Sequence, residues 1–102
     1  MTQRVKLSGL IAVGFQTMSL ANSTAIGVNS TCRTGNTLHI SVETNAARYR
    51  ADGSDPTLTT GVLLPKDLAP FVIEGYNYAD NNVVFQRSTG TSKVSLMSYR
   101  RV

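Results

Sequence analysis

An all-β fold follows from three features of this 102-residue sequence: a single small antiparallel sandwich or barrel, jelly-roll-like, with an extended N-terminal arm. No stretch carries the 3.6-residue apolar period of a long helix. Gly, Thr, Ser and Asn recur about every eight to twelve residues, the spacing of turns in sandwiches and barrels. Thr37–Glu43, TLHISVE, sets Leu38, Ile40 and Val42 on one face and His39, Ser41 and Glu43 on the other, the two-residue period of a half-buried strand. With 41% hydrophobic and 16% charged residues, the chain has the composition of a globular domain rather than a disordered one, and its length suits one core.

Residues 1–22 are expected to form the arm or a first strand, and 23–102 the sandwich. Val5 to Phe15 is apolar, with Gly9 and Gly14 marking bends or close backbone approach. Thr24–Val28 is a short strand, and STCRTGNT turns around Gly35 and Asn36. In Ala46–Arg50, Ala47 and Tyr49 share one face, Arg48 and Arg50 the other. Further strands are expected at Gly61–Leu64, Phe71–Gly75, Asn82–Arg87 and Lys93–Arg100, the last two joined by STGTS as a hairpin. The alternation places Leu38, Ile40, Val42, Tyr49, Val84, Val94 and Leu96 inside.

In ADGSDPT, Asp52-Gly53 supplies a position tolerant of positive φ. Asp55-Pro56 adds a second turn through a side-chain acceptor and a fixed φ. Gly61 closes the loop, which is expected to be a structural corner without a metal. A calcium site would need more than the two carboxylates of Asp52 and Asp55. Arg48 and Arg50 could contact phosphates, but alternation turns Tyr49 away from both, whereas a single-strand platform needs aromatics and cations together. Each guanidinium instead suits a carboxylate or a backbone carbonyl.

Ten Lys and Arg against six Asp and Glu leave a net charge of +4. The cations are spread from Arg4 to Arg101 rather than gathered into the patch that backbone-phosphate binding draws on. Tyr76 and Tyr78 are the aromatic pair that a nucleic-acid-binding β-barrel, the reading from another functional class, would use. His39 is the only histidine and Cys32 the only cysteine. A triad would have to pass through a mid-strand imidazole, with no nucleophile elbow beside it. No enzyme activity and no cofactor are expected, and the lone cysteine allows no internal disulfide and suits a reducing compartment. No run reaches the length of a membrane span. Arg4, Lys6, Leu10–Phe15 and Ser19-Leu20-Ala21 imitate a short signal peptide. On that alternative the chain would be a secreted adhesin-like domain, and Asn22-Ser23-Thr24 and Asn29-Ser30-Thr31 would count as glycosylation sequons.

The series LHISVE, AARYRADGSDPTLTTGVLL, FVIEGY, NNVVFQRS and SKVSLMSYR resembles a group of small β-structured virion proteins of tailed bacteriophages. Their pattern is an alternating strand ending in Val-Glu, an R-[YW]-R-x-D-G-x-x-P-T run, an apolar Leu-Pro, and a last strand ending near a Tyr. The resemblance covers about residues 25–101. Ala51 stands where an acidic residue is common, and Lys66-Asp67 replaces a Gly-rich step. The resemblance implies a structural protein of the virion, made in the host cytoplasm. A capsid decoration or cement protein is the first reading, and a head–tail connector or tail component the second. The partners implied are the major capsid protein or other virion proteins, and further copies of the chain. Leu10, Ile11, Val13 and Phe15 of the arm, with Arg48 and Arg50, are the expected assembly residues, because exposed apolar strands need a covering partner.

Overall fold

Each strand of the chain pairs with a strand counted from the opposite end, so the whole molecule is one long hairpin rolled up on itself. The computed structural model describes residues 9–21, 24–67 and 70–101. Among them are eight strands: β1 (Leu10–Leu20), β2 (Ile26–Gly27), β3 (Thr37–Glu43), β4 (Ala47–Arg50), β5 (Val62–Leu64), β6 (Phe71–Ile73), β7 (Val84–Arg87) and β8 (Ser92–Arg101). The antiparallel pairs β1·β8, β2·β7, β3·β6 and β4·β5 nest inside one another. Pairs β3·β8 and β4·β7 complete two four-stranded sheets, β1-β8-β3-β6 and β2-β7-β4-β5. This is jelly-roll connectivity. Among the described residues no helix is long and apolar enough to cross a membrane.

The first sheet follows from its alternation. Leu38, Ile40 and Val42 of β3 and Val94 and Leu96 of β8 point inward and are buried. Met18 and Leu20 of β1 join them, so the segment that imitates a signal peptide supplies core. β1 runs to Leu20, past the expected end at Phe15, and carries a bulge between Ala12 and Gly14. The extra residue, Val13, shifts the phase so that Gln16, Met18 and Leu20 face in and Phe15 and Thr17 face out. Val5 to Ser8 of the expected first strand lie outside the described residues.

The second sheet differs from expectation at three points. Val83, not Val84, is fully buried. Phe85 sets the inward phase of β7 opposite Tyr49 and Ile26, and Val83 shares its parity, whereas Val84 lies opposite Arg50 on the other face. Tyr49 is half-buried, because the neighbouring β5 is a three-residue edge strand; its ring packs 6.4 Å from Phe85 and 6.0 Å from Phe71. STGTS is not a hairpin between paired strands, since β7 and β8 belong to different sheets. It is a corner between the sheets, held by Asn45 Nδ2 donating to the Thr91 carbonyl and Ser92 Oγ to that of Ala46.

Candidate assembly surfaces

The outward side chains of the first sheet line up across all four strands. Phe15 on β1 pairs with Met97 on β8, Met97 with His39 on β3, and His39 with Val72 on β6. The row starts and ends on uncovered apolar groups, Phe15 at 60% and Val72 at 43% exposure. Between them the His39 ring stacks on Tyr99 at 4.7 Å. A shallow groove of about 200 Å³ opens beside Phe15, Met97 and His39, lined also by Ser41, Pro70 and Ser95. Apolar walls without a converging set of charged groups suit a flat protein partner better than a small polar ligand.

Of the arm residues expected to assemble, Ile11 and Phe15 are exposed and Leu10 and Val13 half-buried. All four lie on β1, whose outer edge has no partner strand among the described residues. The other two expected residues, Arg48 and Arg50, sit on the opposite sheet and are engaged at home. Arg48, half-buried, donates through Nε to the Leu58 carbonyl at 3.1 Å and through Nη1 to that of Gly61 at 3.0 Å. Arg50 forks onto the Asp52 carboxylate at 3.0 and 2.6 Å. One arginine therefore holds the far limb of the β4–β5 loop and the other its near limb. The Arg50 guanidinium holds the Asp52 carboxyl below the usual carboxylate range.

The loop itself is a corner. Gly53 takes φ +91° and Gly61 φ +130°, conformations that side chains with a Cβ rarely adopt. A Cβ on Gly61 would also lie 3.1 Å from the buried Pro56 ring and 3.2 Å from Arg48 Cβ. The side-chain acceptors in the turn are Thr57 Oγ1, bonded by the amides of Thr59 and Thr60, and Asp52 Oδ1; Asp55, expected in that role, is exposed at the tip. Tyr76 Oη donates to the Ala51 carbonyl at 2.8 Å, so the β6–β7 loop braces the near limb. Between the limbs opens a cleft of about 510 Å³ bounded by Tyr49, Asp52, Thr60 and Val62.

His39 faces outward from β3, while Cys32 is buried inside, its thiol pushed up by desolvation. Tyr76 and Tyr78 stack edge to face on each other at 4.9 Å. Burial raises the Tyr78 phenol strongly, and its hydroxyl is enclosed with no hydrogen-bond partner among the described residues. Asn29 of the second sequon uses its side chain on the Cys32 amide; Asn22 of the first lies outside the described residues.

Several structural side chains escaped sequence reasoning. Ser92 and Ser98 are buried at the two ends of β8, Ser98 Oγ donating to the Cys32 carbonyl. The alternation that buries Val94 and Leu96 gives both serines the same inward parity, so a signal was present. Gln16 clamps the backbone of Gly27 and Asn29, and for this only its inward phase after the bulge gives a hint. No family model, curated protein or solved structure matches this chain.

Proposed function

We propose that the chain is a structural, non-catalytic component of a tailed-bacteriophage virion, a decoration or cement subunit of the head. The carrying observation is the outward row Phe15–Met97–His39–Val72 across the four-stranded sheet, half-buried at Met97 and His39 and ending at both margins on an exposed apolar side chain. Large apolar groups left exposed at both margins of one sheet face mark a surface that another protein covers. The R-Y-R-x-D-G-x-x-P-T run at residues 48–57 supports the virion as the setting. A jelly roll suits such a role, since its rolled sheets form a rigid block that keeps its face in register with a lattice. Weak contacts repeated over many copies suffice there, because attachment at one point raises the effective concentration at the next.

The test is to separate particles of the encoding phage on a density gradient and detect this chain with an antibody. It should travel with DNA-filled heads in many copies, and a Phe15→Asp variant supplied in its place should stay in the soluble fraction. Absence of the parent chain from every particle band overturns the virion role, and its presence in purified tails but not heads moves it to the tail.

A further inference from the structure

The six large apolar side chains exposed among the described residues, Ile11, Phe15, Val62, Leu63, Phe71 and Val72, are not scattered. All lie on the two lateral edges of the sandwich. Ile11 and Phe15 belong to β1 at one edge. The other four belong to β5 and β6, the terminal strands at the opposite edge. The Tyr49–Phe71 ring contact brings β6 over the β4–β5 side, and the Gln16–Gly27 bond brings β1 over β2. Single exposed apolar residues need no explanation, whereas their segregation to two opposed edges does.

We infer that these edges are the two halves of one contact, and that the occupant of each is a second copy of this chain, side by side in the same orientation. Three observations favour a copy over an unrelated partner. The first is register: the row ends on Phe15 at one edge and on Val72 at the other, so Phe15 of one copy meets Val72 of the next and the row continues unbroken. The second is direction. Successive antiparallel pairings make β6 antiparallel to β1, so two copies of like orientation bring a free β1 edge against a free β6 edge with the polarity that extends an antiparallel sheet.

Charge is the third. Ile73 is level with Leu38, Ser98 and Gly14 across the sheet, which sets the exposed Glu74 at the height of Ala12. Arg100 and Arg101, also exposed, pair with Ile11 and Leu10 at the start of β1. Strand alternation puts Glu74 on the outward face with Val72 and Arg101 on the outward face with Tyr99, so side by side the carboxylate of one copy shares a face with the Arg101 guanidinium of its neighbour, one strand in from the seam. Such a contact joins two different patches, so it propagates into a ring or an open row rather than stopping at a two-fold dimer. It deepens the assembly role proposed above, but it is tested on the purified chain without particles, so its failure leaves attachment to the head to be decided by the gradient experiment.

The test is sedimentation of the full chain and of two edge variants, Phe15→Asp and Val72→Asp, with circular dichroism to verify folding. The parent should assemble beyond a dimer as concentration rises, and each variant alone should stay monomeric. An equimolar mixture should give a discrete heterodimer and nothing larger, because one variant keeps an intact β6 edge and the other an intact β1 edge. Should either aspartate variant unfold, Phe15→Ser and Val72→Ser serve as the pair. Glu74→Arg should weaken assembly, and adding Arg101→Glu to it should restore it. A parent chain that stays monomeric at the highest soluble concentration overturns the inference. So does assembly unaffected by both variants, or a mixture of folded variants that forms no heterodimer.

Discussion

The two sheets are held together by different means. In the first, three of the four strands, of 11, 10 and 7 residues, run beside one another in long ladders interrupted by the bulge at Val13, and only β6 is short. In the second, strands of 2, 4, 4 and 3 residues are too short to be stabilised by pairing alone. Side chains pinned to backbone make up the difference. Arg48 holds the Leu58 and Gly61 carbonyls, Tyr76 that of Ala51, Asn82 that of Val28 and Gln16 that of Gly27. The lesson is a division of labour: the long-stranded sheet carries the outward row that ends on exposed Phe15 and Val72, while the short-stranded sheet uses its polar groups to keep its loops in place.

The largest expected effects lie where the two sheets share a core, and there the contrast should vanish. Phe85→Ala in the second sheet should cost about 3–5 kcal/mol and Ile40→Ala in the first about 2–5 kcal/mol by urea unfolding. A loss below about half a kcal/mol for either would mean that the inward phase of its strand is misplaced.

The contrast should reappear at Arg48. Arg48→Ala leaves two loop carbonyls without their donor and is expected to cost about 1–3 kcal/mol. Its hydrogen exchange should quicken in residues 51–61 while β3 and β8 stay protected. Arg48→Lys should not restore protection, because an ammonium cannot reproduce the planar fork. Uniform loosening of both sheets would erase the proposed division.

A smaller change, of opposite sign, is expected at the β3–β4 corner. Thr44 takes φ +78° in a tight turn closed by the Asn45 amide on the Glu43 carbonyl, a costly conformation for a β-branched residue. Thr44→Gly should therefore raise stability by up to about 1 kcal/mol in thermal unfolding. A lower melting temperature would show that the threonine side chain contributes more than the strain removes.

The smallest effect concerns pH. Asp52 titrates lower in the folded chain than in the unfolded one because Arg50 binds its carboxylate. Its contribution is therefore present above about pH 4 and is lost as pH falls through the lowered value. The ion pair is exposed, so Asp52→Asn should only slightly flatten the acid limb of stability measured against pH. An unchanged limb would mean that Arg50 is held by something other than this carboxylate.

Sequence was most legible where geometry repeats. TLHISVE gave β3 residue for residue, and the same period placed Val94 and Leu96 inside. Gly53 announced its positive φ. Sequence was least legible where tertiary context decides. Gly14 marked a bend or close approach, but not the extra residue Val13 that changes the phase of β1, and the Val83/Val84 choice depends on which residue meets Tyr49 across the sheet. STGTS has the composition of a hairpin, yet the strands on either side join different sheets. The candidate row was half visible: Phe15 stood out as apolar and exposed, but its continuation through Met97 and His39 to Val72 exists only once three registers are known.

Hydrogen exchange of the chain, free and bound to particles of the phage proposed to carry it, tests the central claim most directly. On binding, the account predicts added protection in residues 10–20 and 71–73, the outer strands of the first sheet, with residues 51–61 unchanged. Protection gained by the 51–61 loop while β1 and β6 exchange as before would contradict it, and would move the assembly surface to the arginine-clamped corner.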